Sequence, residues 1–454
     1  MNILFLETRQ NEVWISMQEI LPQIKRVWTL FCEEKGWDFH CVDVDNNSLT
    51  SYRKEILKAD FIVVPAFNAR VAQSLVVIRK MLGIRTPWLF YLHNQATIGL
   101  WPLYALGMGE LLHKHDVFLG TCEGDRKAID QTLKNYSYIP TLFSTEESIN
   151  SLPLISNQGT KDILYIGRVS CQKNLHSLLM AFKRLKEKDG NLKLHLYGNE
   201  DQLGSPNMEW KADGYGAILH KLVHDENIED VNFYGFVNRQ TIKESWKGKN
   251  FIFCSPSLHS DENFGMAALT ALELGGRVVL TEWGGHLNFL KSFPKRVYGV
   301  PVYHHHEGPF IKVKELELAL EKALNSQGNV EPQESFFNEK AIVNNLIEEF
   351  DKYIATERND PLIAFGIIEK LLKKRKDYLE RDANLLQKVF ENYSDSDAQI
   401  FFEAYGAKYT TEKSSGELLP WVFKNEKGSF QVSDPIKKDL ILSENEVSLK
   451  GYLY

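Results

Sequence analysis

The sequence has few cysteines, and they are scattered. The five occur singly, without a C-x-x-C pair, at Cys32, Cys41, Cys122, Cys171 and Cys254. An odd number without paired spacing argues against a disulfide framework and against a thiolate zinc site. We therefore expect a cytoplasmic protein with reduced thiols.

The sequence also lacks a long apolar run and an excess of basic residues. No run reaches the roughly 18 apolar residues that a membrane-spanning helix needs, and residues 1–7 are too short and too soon polar for a signal peptide. With 53 Lys and Arg against 60 Asp and Glu, the formal charge is −7, which gives no reason to expect a nucleic-acid partner. The apolar loop 97–110 and the basic cluster 373–376 leave peripheral contact with the inner membrane face open.

The chain has enough apolar material for more than one domain. Its 454 residues exceed the roughly 250 to 300 at which a single core stops growing. Short apolar runs alternate with helical patterns twice along the chain, which is typical of parallel sheets covered by helices on both faces. We predict strands at residues 3–6, 39–44, 61–65, 88–92, 117–120 and 135–140, and again at 163–166, 192–197, 231–234, 251–254 and 278–281.

These patterns predict an α/β fold with two doubly wound, Rossmann-like domains that face a cleft, followed by a carboxyl-terminal accessory module. The polar stretch 144–160 marks the boundary between the two domains. The predicted divisions are 1–150, 151–340, a helix within 341–356 and a tail module at 357–454. Within the tail, residues 361–376 and 378–392 have helical patterns.

The most informative segment runs from Ser255 to Gly276. It has the pattern of a strand end, an acidic and aromatic loop and a helix start, which together present backbone N–H groups and a positive dipole end to an anion. Upstream, a predicted strand ends at Gly167 and is followed by two cations, Arg168 and Lys173. The two segments together predict a site for the diphosphate of a nucleotide-sugar.

Seven short motifs carry a family resemblance. They occur in the order Gly167-Arg168, Lys173-Asn174, Tyr197-Gly198, FYGF at 233–236, SPS at 255–257, ENFG at 262–265 and WGG at 283–285. With these motifs the chain resembles the retaining glycosyltransferases of family 4, which have the GT-B architecture. The resemblance is strong for residues 161–290, depends mainly on Leu92-His93 in the amino-terminal half and does not cover the tail. It implies that 1–150 is the acceptor-side domain and 151–340 the nucleotide-sugar-binding domain.

The resemblance implies roles for four candidate catalytic residues. Arg168 and Lys173 would bind the donor diphosphate, Glu262 would face the donor sugar, and His93 would lie near the reacting sugar. Fixed cations and oriented amides stabilise the charge that develops on a departing diphosphate, so no metal is required. Further donor-side contacts are implied for Gly167, Gly198, Phe236, Asn263, Phe264, Gly265, Met266, Thr270 and Glu273.

The sequence departs from the family pattern at Thr270. The family has there a second glutamate that is thought to hold the ribose hydroxyls, and the next acidic residue is Glu273. Residues three apart share a helix face, so Thr270 and Glu273 together could hold the ribose, or Glu273 could be an exposed helix residue. The donor, a UDP- or GDP-sugar, is not identified further.

Two other groups of residues were considered as sites. The polar residues Thr8, Arg9 and Gln10 after the first strand, with Asn94, are predicted to lie on the acceptor side. The run His304-His305-His306 invites a metal hypothesis, but three adjacent histidines do not readily converge on one ion, and we expect a surface loop.

The function predicted from the sequence is that of a retaining glycosyltransferase. It would transfer a sugar from a nucleotide-sugar to a hydroxyl of a glycan, a lipid-linked glycan or a protein. Two alternatives remain open: a GT-B phosphorylase or synthase, and a catalytically weakened protein that binds sugar nucleotide or glycan as a sensor or scaffold. The oligomeric state is not predicted.

Overall fold

The structure is a computed structural model. It describes residues 1–8, 15–48, 50–66, 69–93, 111–144, 151–153, 161–200, 215–258, 262–305, 308–326, 330–331, 333–334, 337–363, 401–411, 422–424 and 430–432. These residues divide into two compact units. The first takes those of Met1–Asn150 and Ser335–Leu372, and the second those of Ser151–Glu334 and Lys373–Glu446. Each unit is described by itself.

The first unit is built on a six-stranded parallel sheet with the order β2-β1-β3-β4-β5-β7. Its strands are β1 Asn2–Glu7, β2 Asp38–Asp43, β3 Phe61–Val64, β4 Trp88–Tyr91, β5 Val117–Gly120, the short β6 Leu133–Lys134 outside the sheet, and β7 Ser137–Pro140. Its helices in the first 150 residues are α1 Ile15–Lys35, α2 Arg53–Lys58, α3 Ala69–Val76, which continues as a π-helix over Val77–Met81, and α4 Glu123–Ile129.

The second unit contains another six-stranded parallel sheet, with the order β11-β10-β9-β12-β13-β14. Its strands are β8 Ser151–Leu152 outside this sheet, then β9 Asp162–Ile166, β10 Lys193–Tyr197, β11 Val231–Gly235, β12 Ile252–Ser255, β13 Arg277–Thr281 and β14 Val297–Val300. Its helices are a 3₁₀ turn Cys171–Lys173, α5 Leu175–Lys188, α6 Tyr215–Asp225, α7 Arg239–Trp246, α8 Met266–Glu273, α9 His286–Ser292 and α10 Val313–Asn325.

The two sheets confirm the predicted fold class, a pair of Rossmann-like units of the GT-B type. Every predicted strand is present, with ends shifted by at most two residues. The prediction missed β14, because Tyr298 and Gly299 interrupt its apolar run. The central strands β3, β4, β5, β12 and β13 are buried along their whole length, as expected of strands covered on both faces.

Helix α11, Glu339–Ile354, belongs to the first unit although it follows the second in sequence. Its Phe350 is fully buried and lies edge-on to Trp28, Phe31 and Phe61, with ring centroids 5.9, 5.3 and 5.1 Å away. Edge-on aromatic contacts add to the stabilisation that comes from burial alone. This aromatic cluster therefore holds α11 against α1 and against the amino end of β3.

One prediction about the tail is wrong at its start. Residues 361–376 were predicted to be helical, but β18, Leu362–Ile363, pairs antiparallel with β6 in the first unit. The backbone groups of Leu362 and Ile363 are thus paired between strands and not within a helix. The remainder of that segment and residues 378–392 lie outside the described residues.

The second unit also contains short strand pairs outside its main sheet, and some of them include tail residues. Strand β15, Tyr303–His305, pairs antiparallel with β16, Gly308–Phe310, and parallel with β19, Lys408–Tyr409. Further short pairs join β17, Gln333–Glu334, to β8, and β20, Val422–Lys424, to β21, Phe430–Val432. Among the described residues, no helix is both long enough and apolar enough to cross a membrane.

We expect the Phe350→Ala substitution to destabilise the first unit by about 3 to 5 kcal/mol, because it leaves a cavity among the rings of Trp28, Phe31 and Phe61. Urea unfolding followed by circular dichroism would measure the change. Ile354→Ala is the matched control in the same helix, since Ile354 is 44% exposed, and should cost well under about 1 kcal/mol. Equal losses in both variants would contradict the packing role of Phe350.

Candidate active site

The carboxyl ends of β9 and β10 approach each other at two glycines. A Cβ atom on Gly198, whose φ is +149°, would lie 1.7 Å from the carbonyl oxygen of Gly167. The N–H of Gly198 donates to the carbonyl oxygen of Gly235 at the end of β11, over 2.8 Å. Only glycine fits at this contact, which sets the position of the chain that leads to Arg168.

Lys173, Ser257 and Glu262 form a hydrogen-bonded group beyond these strand ends. Lys173 Nζ lies 2.7 Å from Oε2 of Glu262 and 3.2 Å from Oγ of Ser257. Ser257 Oγ donates to the same Glu262 oxygen over 2.6 Å. The side chains of Lys173 and Glu262 are 14% and 13% exposed, so little water separates their charges. The structure therefore brings together two of the four predicted catalytic residues.

Arg168 lies near this group. It follows β9, is half-buried, and accepts a hydrogen bond at its carbonyl oxygen from Tyr165 Oη over 2.6 Å. Burial raises the pKa of the Tyr165 phenol, the positive charge of Arg168 lowers it, and the negative charge of Glu262 raises it. Arg168 and Glu262 are therefore both within electrostatic range of Tyr165.

The amino end of α8 borders the group. Gly265 precedes the helix with a φ of +104°, Met266 is its first residue, and the preceding residues Asn263 and Phe264 are buried. Phe264 packs edge-on against Phe289 with ring centroids 5.5 Å apart. The packed loop thus holds Glu262 one short turn before a helix start, where the dipole favours anions.

A second layer of residues, which the sequence did not predict, lies beneath Glu262. Thr281 Oγ1 donates to the carbonyl oxygen of Ser257 over 2.7 Å and lies 3.1 Å from Nδ1 of His286. Because the hydroxyl has one hydrogen, Nδ1 of His286 must donate to it, and Nε2 is left as the unprotonated nitrogen. His286 is almost fully buried, and burial lowers its pKa to about 4. The only signal in the sequence was that Thr281 ends a predicted strand.

The turn Trp283-Gly284-Gly285 supports the Glu262 loop through its backbone. The N–H of Gly285 donates to the carbonyl oxygen of Glu262 over 2.6 Å. A Cβ atom on Gly285 would lie 2.1 Å from the carbonyl oxygen of Asn263, and one on Gly284 would lie 2.4 Å from that of Glu262. Side chains at either glycine would therefore displace the loop that carries Glu262.

The tail contacts the same turn. The N–H of Gly284 donates to the carbonyl oxygen of Tyr405 over 2.9 Å, and the rings of Trp283 and Tyr405 lie 5.6 Å apart. Phe401, Phe402 and Tyr405 are all buried. The sequence left the role of the tail open, and the structure places this part of it directly behind the glycine turn.

The surface-loop prediction for the histidine run is wrong for His304. This residue is fully buried, with Nε2 3.3 Å from Oε1 of Glu403, because the tail strand β19 pairs with β15 and covers it. Burial lowers the pKa of His304. His306 lies outside the described residues. Within the described ranges, no group of three His, Cys, Asp or Glu side chains is placed to hold a metal ion.

Thr270 is buried, and its hydroxyl is hydrogen-bonded within the protein. It is 3% exposed, its hydroxyl donates to the carbonyl oxygen of Met266 over 3.0 Å, and it accepts a hydrogen bond from Nη2 of Arg239 at the start of α7. Glu273, one turn further along α8, is half-buried. The sequence predicted a site at Thr270 and Glu273 but did not predict that an arginine would reach Thr270.

Phe236 presents its ring to solvent. Its N–H donates to Oδ1 of Asn199 over 2.7 Å, and the residue is 55% exposed. The family resemblance implies a donor-side contact for this residue, through its main chain to the nucleobase. The N–H is already used by Asn199, which leaves the carbonyl group and the ring for a ligand.

In the first unit, His93 follows β4 and is held by a backbone carbonyl. Its Nε2 lies 2.7 Å from the carbonyl oxygen of Pro65, so Nε2 must carry the proton and Nδ1 is the free acceptor. The ring stacks on Tyr91 and Phe143, with centroids 6.1 and 5.9 Å away. Burial lowers its pKa to about 4, so the ring is neutral near pH 7.

A cavity of about 400 Å³ opens in the first unit at the carboxyl ends of β1 and β3. Its lining includes Phe5, Glu7, Thr8, Met17, Gln18, Leu21, Pro22 and Pro65, and Pro65 also contacts His93. Thr8 donates to Oδ2 of Asp45 over 2.9 Å and is buried. Arg9, Gln10 and Asn94, also predicted for the acceptor side, lie outside the described residues.

Comparison with known proteins identifies the central part of the chain. Residues 149–306 match the family model of the glycosyl transferases group 1. An uncharacterized glycosyltransferase of Methanocaldococcus jannaschii is 33% identical over 161 residues, which make up 35% of this chain and 36% of that protein. The match thus spans about a third of the relative's length. Residues 149–306 are therefore similar in sequence to the group 1 glycosyl transferases.

Solved structures are also similar. A UDP-forming trehalose-phosphate synthase from Burkholderia xenovorans has a TM-score of 0.43 at 15% identity, covering 67% of this chain and 72% of its own. TarM of S. aureus, solved with UDP and alpha-GlcNAc-glycerol, has a TM-score of 0.41 at 12% identity, covering 68% and 58%. At these scores the two structures carry no argument about function.

We predict that His286 contributes to acid sensitivity. Its folded-state pKa of about 4 lies below the ordinary value of about 6.5, so the unfolded chain binds a proton first as the pH falls. Stability should therefore be complete above about pH 6.5 and decrease by up to about 3 kcal/mol as the pH falls towards 4. Denaturant unfolding between pH 7 and 4.5 would show a shallower pH slope in His286→Asn. His224→Asn, at a histidine whose side chain is 88% exposed, should keep the slope of the original protein.

We also predict that the tail supports ligand binding at the Glu262 loop. Tyr405→Ala removes the ring that packs on Trp283, so the Gly284–Gly285 turn loses its support, and nucleoside diphosphate binding should weaken at least about tenfold. Calorimetry with a panel of nucleoside diphosphates would measure the loss. Tyr409→Ala is the control, since Tyr409 is 61% exposed in the same tail. Unchanged affinity in folded Tyr405→Ala would contradict the support role.

Proposed function

We propose that the protein is a retaining glycosyltransferase that transfers a sugar from a nucleotide-sugar donor to a hydroxyl of a glycan, a lipid-linked glycan or a protein. The contact between Lys173 and Glu262, 2.7 Å apart beside the amino end of α8, is the observation that supports this most. The segment 149–306, which matches the group 1 family model, contains both residues. The proposal assigns the donor site to the carboxyl edge of the second sheet, where ligands of open α/β sheets bind.

In this proposal the cations stabilise the leaving group. Cleavage of the sugar–phosphate bond leaves negative charge on the nucleoside diphosphate. The Lys173 ammonium, the Arg168 guanidinium and the N–H groups at Met266 are assigned to stabilise that charge as it develops. Because these groups are held in position before the donor binds, they cost little reorganisation during the reaction, and the proposed chemistry requires no metal.

Glu262 and Ser257 are assigned to positioning. Both bind Lys173, and Ser257 also binds Glu262, so the ammonium is fixed by two oxygens. The second carboxylate oxygen of Glu262, Oε1, is assigned to the donor sugar, where it would accept from a hydroxyl or stabilise an oxocarbenium-like centre. The negative charge also keeps Lys173 from binding the diphosphate too tightly in the ground state.

Retention of configuration is assigned to attack on the same face of the sugar. The acceptor hydroxyl would give its proton to the departing phosphate oxygen while its own oxygen forms the new bond to the anomeric carbon. His93 is not assigned as a base, because its pKa of about 4 makes imidazole a weak proton acceptor. Its Nδ1 is assigned to accept a hydrogen bond from a substrate hydroxyl, and the 400 Å³ cavity beside Pro65 to the acceptor.

The nucleotide end of the site is assigned to Arg239, Glu273 and Phe236. With the Thr270 hydroxyl engaged by Arg239 and Met266, Glu273 is the acidic group of α8 assigned to the ribose of a UDP- or GDP-sugar. The exposed ring of Phe236 is assigned to stack on the base. This departure from the family pattern also favours a second candidate function, a protein that binds sugar nucleotide without efficient transfer.

Lys173→Ala and Arg168→Ala test the proposal. Each removes one cation that stabilises the leaving group, so kcat should fall by about 10² to 10³-fold while circular dichroism stays unchanged. Transfer would be measured by mass spectrometry with UDP- and GDP-sugars and a panel of acceptors. Lys193→Ala is the control, because Lys193 is an exposed residue at the start of β10.

The outcomes separate the two candidate functions. Transfer that is lost in both site variants and kept in Lys193→Ala supports the glycosyltransferase. Nucleotide-sugar binding that is lost in the site variants, with no turnover in the original protein, supports the binding protein. Unchanged turnover in either site variant contradicts the assignment of the cations.

A further inference from the structure

Two buried arginines lie at the edge of the second sheet opposite the proposed donor site. Arg277 is the first residue of β13, and Arg296 immediately precedes β14. Amino ends of neighbouring parallel strands meet at one edge, and the five residues of β13 separate that edge from Thr281 by about 13 Å. The pair is therefore distinct from the Lys173 and Glu262 group.

Both arginine side chains are buried. Arg277 is 3% exposed and Arg296 is 0% exposed. Arg277 and Arg296 are neighbours across two adjacent strands, because the residues that follow them, Val278 and Val297, are paired between β13 and β14. Burial and the neighbouring charge of Arg277 both lower the pKa of Arg296, to about 10. A buried charge is strongly destabilising unless an opposite charge accompanies it.

The bonds that the arginines make are to neutral groups. Arg277 Nη2 donates to the carbonyl oxygen of Ser326 over 3.2 Å, and Arg296 Nη2 donates to that of Glu331 over 2.8 Å. Ser326 ends α10, so the helix dipole offsets part of the Arg277 charge. Within the described residues, Nε of Arg277 and both Nε and Nη1 of Arg296 are buried without a hydrogen-bond acceptor.

The acids that follow α10 do not bring a buried carboxylate to the pair. Residues 326–334 contain two acids, Glu331 and Glu334, and both are exposed to solvent. The other seven residues of the segment have no acidic side chain. Two positive charges thus meet one partial negative charge from a helix end, and three guanidinium nitrogens are buried without a hydrogen-bond acceptor among the described residues.

We propose that Arg277 and Arg296 form a second anion site, which binds a phosphate group beside the backbone of Ser326 and Glu331. A phosphate dianion matches the charge of the pair and accepts from guanidinium N–H groups in a bidentate manner. Since both side chains are covered, the ligand is small: inorganic phosphate or the phosphate end of a monoester. Binding ties β13 and β14 to the end of α10 and stabilises the second unit.

Thermal unfolding in inorganic phosphate tests the site. Sodium phosphate should raise the Tm of the original protein in a saturable way, on the order of 5 °C at a hundredfold excess over Kd, while sodium chloride at matched ionic strength should not. Arg296→Met should lose the response. Lys295→Met, which removes an exposed charge one residue away, and Lys173→Met, which alters the proposed donor site, should keep it.

A second measurement keeps the proposal testable if one variant is poorly folded. In phosphate-free buffer, Arg296→Met and Arg277→Met should be at least as stable as the original protein, because an unpaired buried cation is replaced by an apolar side chain. A large loss of Tm in both would reveal a carboxylate partner and overturn the proposal. So would an equal response to phosphate and chloride, or a phosphate response that survives in both variants.

Glycerol phosphate distinguishes the two sources of the phosphate group. Stabilisation by inorganic phosphate alone supports a closed site for the free ion. Stabilisation by both supports a site that leaves room for the organic part of a monoester. Stabilisation of Arg296→Met by either ligand places the binding elsewhere and contradicts the assignment.

Discussion

The ion pair between Lys173 and Glu262 determines how the second unit is arranged at its carboxyl edge. The two residues come from loops after different strands, β9 and β12, and their side chains meet at 2.7 Å with about one seventh of each exposed. An ammonium and a carboxylate with so little exposure to water stabilise each other, since removing either one leaves an uncompensated buried charge. The pair thus reinforces a connection between the two loops that Leu258 N–H also makes by donating to the carbonyl oxygen of Gln172. The group formed is charged, compact and close to a helix start.

The surrounding backbone is built to keep that pair in position. Gly285 donates to the carbonyl oxygen of Glu262, and the approach of Gly284 and Gly285 to the loop leaves no room for side chains. Tyr405 closes the other side of the turn. A loop that carries a functional carboxylate is therefore held by backbone contacts, which depend on the absence of side chains. This arrangement explains why glycines and a distant tail matter to the chemistry of one glutamate.

Much of the fold could be predicted from the sequence because parallel strands buried on both faces are short, continuous apolar runs. The strands β3, β9 and β12 are of this kind and were located within two residues of their ends. Strand β14 was missed, since Tyr298 and Gly299 make its pattern ambiguous. The helix predicted from residue 361 was wrong at Leu362–Ile363, because the partner of that strand, Leu133–Lys134, is more than two hundred residues away in sequence. Local periodicity contains no information about such a partner.

The candidate site shows the same limit. Arg168, Lys173 and Glu262 stood out because each follows a strand end or precedes a helix, and those positions converge at one sheet edge. Three further features depend on contacts between segments that are separated in sequence: Arg239 on Thr270, Thr281 on Ser257 and the tail on the glycine turn. Each joins a side chain to a group whose position the sequence does not reveal, and His304 became buried for that reason too.

Positive charge is compensated by a carboxylate at the carboxyl edge of the second sheet but not at its amino edge. At the carboxyl edge Lys173 has a carboxylate and a hydroxyl partner, so its charge is already compensated and a ligand must compete with Glu262 for it. At the amino edge Arg277 and Arg296 have backbone carbonyls, and no described carboxylate offsets their charge. A compensated cation suits a site that must bind and release a substrate in every turnover. An uncompensated pair suits a ligand that stays, because its departure would leave two buried charges facing one another.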